Sequence, residues 1–238
     1  MNHETERKDD MFYGAKGVYL GHRAPSNCGE DDSAKILVGD RGWRIDLATY
    51  QLIHDGEGFA TVDSADPSVL LKSILLEYER PTEEGMVVKR PRATWFEISM
   101  HLRKSPEFRF AFPGEPTAFE EFLAGAYHVD GWDAVTLTPR TGDKGRDVIA
   151  VTTGLTTIRV LDQAKAYREN RPVTPDDARA LYGVLMLDQR ASKGIITTTS
   201  DFAPSIASEF DQAIPYRLEL RNGNDLVQWI KRQHGDDS

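Results

Sequence analysis

From residue 115 onward, apolar residues recur first at helical and then at strand spacing in a regular order, and this order leaves few architectures open. Residues 117–127 carry Phe119, Phe122, Leu123 and Ala126 on one helical face, with Glu120 and Glu121 beside it. Short strands are predicted at 135–138, 147–151 and 157–167, the first two joined by a turn around 141–145. Thr174-Pro175-Asp176-Asp177 supplies a cap, a proline at the first helical position and first-turn acids, opening a helix to about Arg190. A strand at 194–198, a helix at 202–212, a strand at 216–221 and a helix at 224–234 complete the order. Three antiparallel strands followed by strand–helix crossovers predict an α/β fold, a mixed central β-sheet flanked by helices on both faces.

The first half is less regular and predicts a smaller α+β domain at 11–92, behind a disordered leader at 1–10 and ahead of a second domain at 93–238. Residues 34–38 and 43–47 suggest a hairpin, and 68–80 carry Val69, Leu70, Ile74, Leu75 and Tyr78 at helical spacing before Pro81. The stretch 81–91, with two prolines, Gly85 and a Glu pair, is the expected linker, and Thr94 with Glu97 suggests a capping box beyond it. No apolar run marks a signal peptide or membrane span, and the single cysteine, Cys28, forms no internal disulfide, so a cytoplasmic protein is expected. Cys28 and His22 lack the further ligands of a zinc site.

A net charge of -9 argues against nucleic-acid binding by the whole surface. Within it, residues 140–171 form a basic island of seven basic residues (Arg140, Lys144, Arg146, Arg159, Lys165, Arg168, Arg171) against four acidic ones. In the same stretch Asp147 opens a strand whose next residues are apolar, which puts its carboxylate at the mouth of a buried sheet. Gln163 and Lys165, two apart in the following strand, share a face, and Ala164 between them points away. Phosphodiester hydrolysis uses such parts: a carboxylate and a second oxygen for a hard cation such as Mg2+, and an ammonium to orient water and offset developing charge. Glu120 on the neighbouring helix is a further oxygen ligand in this set. The hydroxyls of Thr197 to Ser200 read either as phosphate donors or as a strand end with a helix cap, and the basic run from Lys89 to Arg92 as a DNA contact or a solvated linker.

The runs Phe119-Glu120-Glu121-Phe122-Leu123, Val135-Thr136-Leu137-Thr138-Pro139-Arg140-Thr141-Gly142-Asp143-Lys144-Gly145-Arg146-Asp147-Val148-Ile149-Ala150 and Gln163-Ala164-Lys165-Ala166-Tyr167 occur in that order. With Arg171-Pro172-Val173, Ala180-Leu181-Tyr182-Gly183 and the segment from Lys193 to Phe202, they resemble the Mrr-type restriction endonuclease catalytic domain, of the PD-(D/E)xK nuclease superfamily, over about residues 95–232. The resemblance implies Asp147 as acidic metal ligand, Gln163 at the position of Glu or Gln, Lys165 as catalytic lysine and Glu120 as helix carboxylate. It implies a Mg2+-dependent endonuclease, with Mn2+ as substitute, acting on double-stranded DNA in restriction or antiviral defence, as a homodimer or with a partner defence protein. Arg140, Lys144, Arg146, Arg168 and Arg171 would contact phosphate, and the N-terminal domain would set target choice, protein contacts or regulation. Asp162 departs from the family's apolar residue, as a solvent or helix-cap contact or a substitute ligand, and Ala166 replaces a common Arg or Lys. The alternatives are a catalytically weak DNA-binding or assembly module on the same fold, or an RNA nuclease.

Overall fold

The computed structural model describes residues 70–139 and 145–233 in full and, before them, the backbone of five short strands. The expected leader, Cys28, His22, Arg140 and Lys144 lie outside the described residues. The chain divides into two units, Met1–Ala65 and Asp66–Ser238. In the first, β1 (Met11–Gly14) pairs antiparallel with β2 (Gly17–Leu20). The second sheet of that unit is β3 (Lys35–Val38), β4 (Trp43–Asp46) and β5 (Gln51–His54), all antiparallel, and β3–β4 is the expected hairpin.

The second unit holds a seven-stranded sheet in the order β12-β11-β10-β9-β8-β7-β6. Its first two strands, β6 (Leu76–Thr82) and β7 (Gly85–Pro91), correct two expectations: residues 68–80 are not one helix, and 81–91 is a strand rather than a linker. Leu75 is buried but Ile74, on the same expected helix face, is 68% exposed, and Val88 is buried in the supposed linker. The two prolines stand near the ends of their strands, and Pro81 lies in the edge strand β6, where a missing N–H is tolerated. Gly85 turns the hairpin at φ +143°, and a Cβ there would meet the Leu137 carbonyl, so only glycine lets β7 lie against β8. The boundary expected near residue 92 thus falls inside the larger unit, whose division from the first lies at Ala65.

Helix α1 (Ala93–Lys104) starts without a side-chain cap, so the capping box expected at Thr94 is not formed. A 3-10 segment (Pro106–Gly114) leads to α2 (Pro116–Val129), whose Phe119, Phe122, Leu123, Ala126 and Tyr127 are buried. Three strands follow antiparallel, β8 (Ala134–Leu137), β9 (Val148–Thr152) and β10 (Ile158–Lys165). Helix α3 (Pro175–Leu187) carries the chain to β11 (Lys193–Thr198), parallel to β10, with a capping box between Thr174 and Asp177. A short α4 (Ser205–Glu209) then leads to β12 (Leu218–Arg221), parallel to β11, and α5 (Gly223–Gln233) ends the unit. The mixed sheet with helices on both faces is as expected.

The two faces have different cores. Ile149, Leu161 and Ile196 pack with Val173, Ala178, Leu181 and Leu185 around α3. Tyr127 of α2 bonds to Asp162 from the other side, so the alternation of β10 assigns Asp162 and Ala164 to the α2 face and Leu161, Gln163 and Lys165 to the α3 face. Burial of these apolar side chains, worth about 1.5–3 kcal/mol each, pins the register, because a one-residue slip would exchange Gln163 with Asp162.

Candidate active site

Asp147 stands one residue beyond the last β9–β10 pair, Val148 with Asp162. Gly145, at φ +75°, turns the chain into the strand just before it. The Asp147 N–H donates to the Asp162 carbonyl at 2.9 Å, and its Oδ2 accepts from the Ala164 N–H at 2.7 Å. These two bonds straddle Gln163. The carboxylate is therefore fixed against the segment that carries Gln163 and Lys165, and Ile149, two residues on, belongs to the α3-side core that they face. The strand is held on its other flank by Thr138, whose N–H donates to the Asp147 carbonyl and whose Oγ1 donates to the Arg146 carbonyl at 2.6 Å.

Gln163 is 7% exposed, and its Oε1 is buried with no hydrogen-bond partner among the described residues. An amide oxygen left without a donor beside a carboxylate is ready to accept a cation. Lys165 Nζ lies 3.0 Å from Oδ1 of Asp177 in the first turn of α3. Burial pushes the Asp177 carboxyl up, but the Thr174 N–H and then the Lys165 ammonium outweigh it and hold it below the usual carboxylate range. Glu120 is half-buried on α2, in the layer that covers the opposite face from Gln163 and Lys165. The fold thus brings Asp147, Gln163 and Lys165 together and places Glu120 in the neighbouring layer. Among the described residues there is no cluster of three His, Cys, Asp or Glu side chains that could hold a metal ion.

The cations divide. Arg168 and Arg171 are exposed on the loop after β10, and the Arg171 guanidinium lies 4.1 Å over the Tyr167 ring. Arg146 is different: its side chain is 12% exposed and sits 3.7 Å from Glu84 and 3.6 Å from Asp188. Arg159 joins the same acids at 2.7 and 3.2 Å. What the sequence presents as one basic island is thus split, part facing solvent and part neutralised by carboxylates 62 and 42 positions from Arg146 in either direction. The Lys89, Arg90 and Arg92 cations are likewise met by Glu77 across the hairpin.

Asp162 is neither a solvent contact nor a cap. It is fully buried, and its Oδ2 accepts from the Tyr127 and Thr197 hydroxyls at 2.7 and 2.8 Å, with Arg221 Nη1 at 3.6 Å. Burial raises its pKa to about 6, with Arg221 pulling the other way. The Thr197 to Ser200 run is also inward. Thr198 and Thr199 hydroxyls donate to the Lys165 and Tyr167 carbonyls, and Ser200 Oγ to the Glu169 carbonyl, so the run fastens the loop behind Lys165 rather than facing a phosphate. Asp177, Glu84 and Asp188 carry no local signal of these roles, because the cations they meet here, Lys165, Arg146 and Arg159, are distant in sequence.

Residues 114–230 match the family model of the Mrr catalytic domain, described as restriction endonuclease. The C-terminal region is an Mrr-type restriction endonuclease catalytic domain. A solved structure of MspJI restriction endonuclease in complex with a 27-mer oligonucleotide is similar at 22% identity and TM-score 0.41, over 60% of this chain and 33% of that one. The DNA modification-dependent restriction endonuclease AspBHI is similar at 17% identity and TM-score 0.45, over 94% of this chain and 64% of that one. This chain therefore spans a third and just under two thirds of the two proteins. No curated protein matches it. The Mrr-type domain begins at residue 114 in the family match, so β6, β7 and α1 are sheet and core that precede it. The family's description, restriction endonuclease, names a nuclease and hence a hydrolase.

Proposed function

We propose that the chain is a divalent-metal-dependent endonuclease that cuts double-stranded DNA in a restriction or antiviral defence system, with Asp147, Gln163 and Lys165 at its centre and Glu120 in support. The observation that carries this reading is the bond from the Ala164 N–H to Asp147, which ties the carboxylate to the residue between Gln163 and Lys165. The donor set fits a hard cation: Asp147 Oδ atoms and the unpartnered Gln163 Oε1 would hold Mg2+, or Mn2+ in its place, and Glu120 on α2 is assigned only a supporting part. Such a cation supplies positive charge for the phosphate and a more acidic water. Lys165 offers an ammonium that orients the attacking water and offsets charge developing on phosphate oxygens. Arg168 and Arg171, exposed beside it, meet the neighbouring phosphates, and Arg140 and Lys144 are assigned the same part. The first unit, within residues 11–65, supplies target choice, protein contacts or regulation, and the protein acts in the cytoplasm as a homodimer or with a partner. Among the described residues no helix is long and apolar enough to cross a membrane.

Cleavage of supercoiled plasmid should require Mg2+ or Mn2+ and stop in excess chelator. Asp147→Ala and Lys165→Ala should each lose roughly 100-fold or more in rate while the far-ultraviolet circular dichroism stays that of the parent. Cleavage that persists in chelator, or in both variants, would falsify this assignment.

A further inference from the structure

Asp177, the third residue of α3, has its carboxylate held from two sides. The Thr174 N–H and hydroxyl each donate to Oδ2 at 3.0 Å, while the Asp177 N–H donates back to Thr174 Oγ1 at 3.4 Å. On the other side Lys165 Nζ lies 3.0 Å from Oδ1, and the Tyr167 hydroxyl donates to the same oxygen at 3.3 Å. A capping box needs an acceptor at this position but no charge, since glutamine serves it as well as glutamate. The charge is directed at Lys165, whose side chain and that of Asp177 are 19% and 18% exposed.

We infer that Asp177 is a positioning residue for the cleavage reaction: a fixed anion in the first turn of α3 that holds the Lys165 ammonium beside Asp147 and Gln163. This rests on the reading of the site given above. A lysine has four rotatable side-chain bonds and about 2 kcal/mol of rotamer entropy to lose, so an ammonium left unanchored spends little time at one point. Asp177 removes that freedom before substrate arrives, and it does so from an element whose own start is locked by Thr174. The same carboxylate braces Tyr167, over whose ring Arg171 lies at 4.1 Å, so one group steadies both the lysine and an exposed cation beside it.

The test uses the full chain, measuring single-turnover cleavage of supercoiled plasmid in Mg2+ and equilibrium binding of a DNA duplex without metal. Asp177→Asn keeps an acceptor for the cap and loses the charge. Its cleavage should fall roughly 10–100-fold, the usual cost of losing a group that orients a reacting one. Its duplex binding should tighten about 3-fold, because a negative charge near the phosphates is gone. A merely structural role would not move the two in opposite directions. Asp177→Glu, with the charge retained, should cleave within about 3-fold of the parent. Thr174→Ala weakens the cap and leaves the Lys165 pair, so it should lower Tm without the loss of cleavage. Should Asp177→Asn fail to fold, Asp177→Gln against Asp177→Glu makes the same comparison. Parental or faster cleavage in the uncharged variant, or an equal loss in Thr174→Ala, overturns the inference. Lys165→Ala separates the two levels: parental cleavage there overturns the reading of the site, whereas loss there with parental cleavage in Asp177→Asn overturns the positioning alone.

Discussion

Asp162 and Gln163 are adjacent in β10, yet one is buried in a network with Tyr127, Thr197 and Arg221 and the other precedes the Ala164 N–H that holds Asp147. The alternation that separates them is legible in sequence, since Gln163 and Lys165 are two apart in one strand and therefore share a face. The partner of each was not legible. Arg146 reads as a phosphate contact because it adjoins Asp147 in a basic run, but sequence distance hides Glu84 and Asp188. The buried Gln163 amide makes its own prediction. Gln163→Glu places a second carboxylate beside Asp147, and without metal their repulsion and desolvation should cost about 1–3 kcal/mol, lowering Tm by roughly 5 °C. If Gln163 Oε1 is a ligand, Mg2+ should raise the Tm of Gln163→Glu by more than it raises that of the parent, because a carboxylate binds the cation more strongly. Equal Mg2+ shifts in a thermal-unfolding comparison would remove Gln163 from the ligand set.

At the level of elements, the strands and helices after residue 115 follow their apolar spacing closely, whereas β6 and β7 do not. Leu70, Leu75 and Tyr78 fit a helical period, and it is the pairing of β6 with β7, itself paired to β8, that makes Leu76–Thr82 a strand. Non-local pairing leaves no periodic mark, and the proline count of 81–91 points the wrong way because edge strands accept proline. The hairpin tip is tied down by Glu84, which meets Arg159 and Arg190 at 2.7 Å and Arg146 at 3.7 Å. Glu84→Gln should destabilise the unit by about 2 kcal/mol, less than the full cost of breaking a buried pair because Glu84 is partly exposed. The pH dependence has a definite sign. Burial raises the Glu84 and Asp188 carboxyls, but their arginine partners, with the Arg190 N–H at Asp188, prevail and hold both below the usual range. Their stabilisation is therefore present above the ordinary carboxylate pKa and is lost as pH falls through the depressed values. Urea unfolding from pH 7 down to pH 3 should show a shallower acid decline in Glu84→Gln than in the parent, and parallel curves would rule the cluster out as its source.

For the whole molecule, the proposed site lies where β9 and β10 part, and the sheet that supports it extends beyond the segment whose spacing announces the fold. Counting strands from sequence stops at β8, because α1, the 3-10 segment and α2 intervene between two strands that pair directly, β7 and β8. A domain cut at residue 92 would therefore divide a single sheet. It would remove the buried Leu70, Leu71, Leu75, Leu76 and Val88, whose apolar burial is worth about 10 kcal/mol together, comparable with the 5–15 kcal/mol net stability of a typical domain. It would also leave β8 as an open edge and uncover the α2 residues that pack on β7. A fragment of residues 66–238 should accordingly express as a folded unit with a cooperative thermal transition. A fragment of residues 93–238 should aggregate or lack that transition, although it retains every residue of the Mrr-type match and of the proposed site. Limited proteolysis of the full chain should spare 81–91, where β6 and β7 pair. A stable, cooperative 93–238 fragment, or early cleavage within 81–91, would show that the hairpin is an appendage to the nuclease sheet and not part of it.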